Sequence, residues 1–163
     1  MKAFVSILFA LFALSAIAAA PMPPVDPNSA IYRVPVEPGV TYDDVVTSLK
    51  VISEGMNLVN PANFPLGEHI KQRGQAIDGV LEVRSFCNLS LGTEIFIDHP
   101  EFAVFAPCRV ALYEQKGQLY LAIDRPTYDL KSIQNPTPRA KKAAQVMEDN
   151  LIQLIEKARK GDI

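Results

Sequence analysis

The chain has 163 residues, with 16 Lys+Arg against 18 Asp+Glu and a formal net charge of −2. That balance leaves no basic excess with which to release counterions from phosphates, which excludes a nucleic-acid binder working by charge neutralisation. An apolar content of 48% excludes wholesale disorder, and two Cys with two His are too few for a Cys-only four-ligand zinc site.

Met1-Lys2 is a short positive start, and Ala3 to Ala20 then runs without a charge. The run ends in Ala16-Ile17-Ala18-Ala19-Ala20 and meets Pro21-Met22-Pro23-Pro24. A positive start, an apolar run and an A-x-A end are the parts of a secretory signal peptide, so residues 1–20 are expected to be a leader. Cleavage after Ala18 satisfies A-x-A and keeps Pro21 from the first mature position; cleavage after Ala20 is the alternative. An uncleaved anchor is the other reading, since the run sits at the lower limit for a bilayer span. Export places the domain in the periplasm or outside the cell. Losing the leader removes one Lys and no acid, leaving 15 basic against 18 acidic residues, a net −3. The working chain is then about 145 residues, enough for one core but not two.

Pro21, Pro23, Pro24 and Pro27 mark residues 21–30 as an extended linker. Ile31 to Val36 reads as a strand, and Pro35 assigns it to an edge. Thr41 and Asp44 open a helix with a capping-box pair, and Val45, Val46, Leu49, Ile52 and Met56 form its apolar stripe. Asn57-Leu58-Val59 is a short strand candidate. Pro65 to Arg73 suits a brief helix stopped by Gly74. Val80 to Asn88 is strand-like, with Leu81, Val83, Ser85 and Cys87 expected on the core face and Glu82, Arg84 and Phe86 on the other. Ser90 is expected to cap a short helix that ends before Pro100. Phe102–Tyr113 and Gln118–Asp124 form a hairpin, with Cys108, Val110 and Leu112 on one face of its first strand. Thr137 caps a final helix with Pro138 in its first turn, and its basic end at Lys157, Arg159 and Lys160 is expected to be solvated. The fold class is therefore α+β: one domain, mainly antiparallel sheet packed against helices, with residues 31–131 as its body and 132–163 as a C-terminal amphipathic helix.

The segment Phe86-Cys87-Asn88-Leu89-Ser90-Leu91-Gly92-Thr93 matches an aromatic-x-Asn-x-x-x-Gly/Ala-Thr pattern following a strand. Pro107-Cys108-Arg109 with its apolar run, and then the Gly117 turn and strand, continue the pattern. In these motifs the chain resembles the family catalogued as domain of unknown function 302. The likeness covers about residues 31 to 131 and is most specific from 82 to 126. The paired Phe-Cys and Pro-Cys-Arg motifs fit an exported branch. The resemblance implies an antiparallel sheet backed by helices, often dimeric. It implies no established reaction, so no catalytic residue is carried over.

Cys87 and Cys108 are the first candidate site, because export puts them where disulfides persist. A structural disulfide is the leading reading. Two unpaired buried thiols, a redox-active pair, and a ligand set with His99 or His69 are the alternatives. There is no C-x-x-C, and no metal or cofactor is assigned. Arg109 is the second candidate, read either as an ion pair with Glu82 or Asp124, or as an anion-binding fork in a cleft with Asn88 and His99 nearby. Asp98-His99 is the weakest candidate, as an acid–base pair, and Glu68-His69 reads as a solvated face. Asn88-Leu89-Ser90 matches a glycosylation acceptor but stands at a strand end. The function expected is a small exported binding or interaction domain stapled by Cys87–Cys108, with a small anion near Arg109 and a homodimer among the partners considered. A thiol-redox or sulfur-handling protein is the alternative, and an enzyme using Asp98 and His99 the last.

Overall fold

The structure of the protein, a computed structural model, describes residues 21–163. The expected leader and its cleavage site lie outside the described residues. Five antiparallel strands form the sheet: β1 (Ile31–Pro35), β2 (Asn63–Phe64), β3 (Leu81–Phe86), β4 (Cys108–Gln115) and β5 (Gln118–Asp124), in the order β1-β5-β4-β3-β2. The centre is the β4–β5 hairpin. Lys116 and Gly117 both take positive φ, 53° and 76°, the turn geometry that matches the twist of the flanking strands. Pro35 ends β1 on the sheet edge, where a missing N–H leaves no ladder bond unmade.

The helices are α1 (Tyr42–Gly55), α2 (Leu66–Lys71), α3 (Leu89–Phe96), α4 (Pro126–Asp129) and α5 (Pro138–Ala158), with a 3₁₀ turn over Pro100–Phe105. Thr41 and Asp44 form the expected capping box, each side chain accepting the other's backbone N–H. The other caps are Asn88 for α3 and Thr137 for α5. Ser90, the expected cap of α3, lies inside that helix; Asn88 takes the position because its extended backbone lets Oδ1 accept from the Leu91 N–H at 3.1 Å. Asn57-Leu58-Val59 makes no strand. Asn57 turns back at φ 55°, and only Val59 pairs, as a single bridge to Cys87.

α1 and α5 cover one face of the sheet and pack on each other, while α3 packs on α5. The core lies between: Tyr32, Val34, Phe86, Val110, Leu112, Leu121 and Ile123 from the sheet meet Val45, Leu49, Leu151, Leu154 and Ile155. A second apolar cluster joins Ile95, Phe102, Leu130 and Ile133 to Ala140, Ala143 and Ala144, where small side chains let the start of α5 approach closely.

The facing of β3 departs from expectation. Glu82 pairs with Leu112, Arg84 with Val110 and Phe86 with Cys108, so the helix-covered face takes Glu82, Arg84 and Phe86. Leu81, Val83 and Ser85 fall on the other face. Phe86 is the residue that decides it. It is 1% exposed, and a one-residue slip would turn it to solvent.

Two ends are also tied down. The Pro-rich segment is docked rather than a free linker: Arg125 donates to the carbonyls of Asp26 and Ser29, Lys131 Nζ donates to that of Pro27 at 2.7 Å, and the Tyr32 hydroxyl to that of Pro23 at 3.1 Å. Arg125 is itself buried against Glu148 of α5 at 2.9 Å. At the C-terminus, Arg159 is not solvated; it is buried between Glu156 at 2.6 Å and Glu37 at 2.9 Å, and the Glu37 N–H donates to its carbonyl, holding the end of α5 against the segment after β1.

Truncating Leu151, fully buried where α5 meets the sheet, to Ala is expected to cost about 2–5 kcal/mol. Urea unfolding monitored by far-UV circular dichroism measures it.

Candidate functional site

α5 packs over the β1–β5 side of the sheet, but α1 leaves the other flank open toward β3 and β2. A cavity of about 640 Å³ lies there, within the size range of small-molecule sites. Val46, Leu49 and Ser53 of α1 form one wall and Phe86, Leu58 and Val59 the apolar floor. Lys50 and Glu54 stand on the helix rim, Asn57 follows the end of α1, and Asn60 and Asn63 line the β2 side, with Asn63 opposite Arg84 in the β2–β3 register. Asn60 is fixed in place, its amide donating to the Ser85 carbonyl at 2.5 Å.

Arg84 enters this cavity from the sheet. Its Nε donates to Glu82 Oε1 at 2.6 Å and its Nη2 to the Tyr42 hydroxyl at 3.3 Å, while that hydroxyl donates to Glu82 Oε2 at 2.9 Å. The three side chains form a closed ring, with Arg84 15% and Glu82 12% exposed. Nη1 makes no hydrogen bond to a described residue, which leaves its two N–H groups facing the groove. Burial works against the charge, yet the hydrogen bonds to Glu82 and Tyr42 outweigh it and hold the guanidinium above its ordinary pKa. Burial, with the bond to Glu82, likewise pushes the Tyr42 phenol up. The site therefore presents a permanent cation with one edge anchored and one edge free.

The residues picked out in the sequence lie elsewhere. Arg109 is on the opposite face of the sheet and half exposed, with its fork closed on Asp124: Nη2 at 2.5 Å and Nε at 3.0 Å from Oδ2. It makes the ion pair with Asp124 and lies away from the groove. Asn88 is occupied as the α3 cap. His99 is buried, with Nε2 accepting the Thr137 N–H at 3.1 Å, and Asp98 binds Thr137 and Arg139. Asp98 and His99 thus secure the start of α5 and are not among the residues lining this groove. His69 rests on the Phe64 ring, 4.9 Å between centroids.

A model of the family described as domain of unknown function DUF302 matches residues 32–158. The chain belongs to the DUF302 family. A crystal structure of an uncharacterized conserved DUF302 protein from Bacillus stearothermophilus has the same fold, with a TM-score of 0.70 over 79% of this chain and 98% of that one, at 17% identity. A protein of Aquifex aeolicus (strain VF5), itself described only as uncharacterized, is 31% identical over 86 residues, 53% of each chain. The match therefore spans about half the length of that relative. The family model reaches further than the sequence resemblance, taking in α5.

In this DUF302 chain Cys87 and Cys108 are both free thiols. The expected bond is not formed, and the register gives the reason. Phe86 stands opposite Cys108, so the alternation of the strand directs Cys87 away from the face that holds Cys108. Cys108 instead meets the Met147 sulfur of α5 at 3.2 Å. Burial, with the Asp124 carboxylate, pushes its pKa up to about 12, and burial also raises Cys87. Neither thiol has the electropositive, thiolate-favouring setting of a redox cysteine.

Beside Cys108, Asp129 of α4 is half-buried, and its pKa is raised to about 6, first by burial and then by Asp124. The folded value lies above the ordinary carboxylate value of 3.8, so the stability tied to the protonated form is complete below pH 3.8 and lost as pH rises through about 6. Asp129→Asn is therefore expected to raise unfolding free energy by about 1–2 kcal/mol at pH 8, after discounting for solvent, and to leave it unchanged at pH 4. Chemical denaturation at the two pH values measures the difference.

Proposed function

We propose that this DUF302 chain is an exported binding domain, periplasmic or secreted, that holds a small organic ligand in the groove between α1 and β3. The leader pattern of residues 1–20 supports export. Arg84 carries the binding reading. A buried ion pair is a poor device for stability alone, since apolar residues of similar volume commonly serve as well or better. Here Arg84 lines an open cavity, while Glu82 and Tyr42 hold its other edge and leave Nη1 without a hydrogen bond to a described residue. Ligand contact accounts for both facts.

The groove lining contains no Cys or His; its one lining carboxylate is Glu54, at the rim. The constellation therefore suits binding rather than nucleophilic or acid–base catalysis. The anchor for an acidic group is Arg84 rather than Arg109, which pairs with Asp124 on the face of the sheet opposite the groove.

Titration of ¹⁵N-labelled mature protein with a small-molecule fragment panel tests the reading. Saturable shifts are expected at Leu58, Asn60, Asn63 and Arg84, and Val46→Trp, which fills the groove from α1, is expected to weaken binding by roughly tenfold or more with little change in melting temperature. Shifts confined to Arg109, Tyr113 and Tyr120 on the opposite face would overturn it.

A further inference from the structure

We propose that the groove selects a monocarboxylate with an apolar body; the proposal rests on the groove being the binding site. The free edge of Arg84 supplies the first part. With Nε held by Glu82 and Nη2 by Tyr42, the guanidinium still offers both N–H groups of Nη1 and one of Nη2. Adjacent parallel donors in one plane match the two oxygens of a carboxylate.

Charge balance supplies the second part. Arg84 is offset by Glu82 at 2.6 Å, and Lys50 on the rim is accompanied by Glu54 one helical turn on. The local field is close to neutral before a ligand arrives. One negative charge is therefore accommodated, whereas a second would meet Glu82 behind the guanidinium and Glu54 at the rim. A phosphate dianion is disfavoured on that ground.

The floor supplies the third part. Val46, Leu49, Leu58 and Phe86 give the groove an apolar bed beside Arg84, while Asn63 stands opposite Arg84 in the β2–β3 pair and Asn60 is bonded to the neighbouring Ser85. Burying methylenes against this bed removes apolar surface from water, so the body of the ligand is hydrocarbon. Tyr42 is a positioning residue. It touches no ligand but fixes the guanidinium from the side away from the groove.

The probes are octanoate, 1-octanol and octyl phosphate, followed by NMR shifts of groove amides. Octanoate is expected to bind roughly tenfold or more tightly than octanol, and no more weakly than octyl phosphate. Arg84→Gln is expected to abolish the octanoate preference while leaving octanol affinity unchanged. Because that variant leaves Glu82 buried without its partner, the Glu82→Gln/Arg84→Gln double variant is measured beside it. Arg84→Lys keeps the charge but not the fork and is expected to lose most of the preference. Tyr42→Phe is expected to weaken octanoate several-fold and octanol not at all. Equal binding of octanoate and octanol, or tighter binding of octyl phosphate, would overturn the ligand class while leaving the groove as a site. Absence of any groove shift, or concentration-dependent groove shifts without probe that mark a second copy of the chain, would overturn both.

Discussion

Pairing of Glu82 with Leu112 and of Phe86 with Cys108 sends the two charged side chains of β3 beneath α1. The other features of the site follow from that register. Charges on the covered face cannot be left alone, because an unpaired buried ion costs several kcal/mol. Glu82 and Arg84 therefore close on each other, and Tyr42, one residue past the α1 cap, reaches down to complete the ring. Side chains of this length and polarity keep α1 from settling onto β3 as α5 settles onto β5 and β1, and the groove is the space that remains.

The same register separates the cysteines and removes Arg109 from the site. Cys108 follows Val110 and Leu112 onto the covered face and meets Met147, whereas Cys87 continues the alternation beyond Phe86. Arg109 falls with Ala111 and Tyr113 on the far face, where Asp124 in the neighbouring strand neutralises it. Buried ion pairs recur at the ends of the domain: Arg125 with Glu148 clamps the Pro-rich segment, and Arg159 with Glu37 and Glu156 ties the end of α5 to the start of the body. The fold thus uses long cationic side chains to fasten backbone segments that have few apolar residues of their own.

Much of the fold was legible in the residues. Caps at Thr41 and Thr137, the Gly117 turn, the edge strand marked by Pro35 and the stripe of α5 are local chemistry, set by short-range hydrogen bonds and spacing. The faces of β4 and β5 were legible because their apolar alternation is unambiguous. β3 was not, because Leu81, Val83 and Cys87 on one face compete with Phe86 alone on the other, and the choice depends on partners distant in sequence. Tyr42 is 40 residues from Glu82, so nothing in the local pattern announces that two charges will be sheltered. The usable signal was Glu82-x-Arg84 inside an otherwise apolar strand, two opposite charges on one face beside a large aromatic. Asn57, Asn60 and Asn63 were likewise invisible as a group, since a turn at positive φ and a two-residue strand bring them to one rim.

The most direct measurement is a crystal structure of the protein with 8-bromooctanoate, whose bromine is located by anomalous scattering. The carboxylate is expected on the free edge of Arg84, with Glu82 and Tyr42 still holding the opposite edge and the bromine over the Leu58–Phe86 floor. Bromine bound at Arg109 on the opposite face, or a β3 strand with Leu81 and Val83 turned under α1 and Arg84 in solvent, would contradict the central claim.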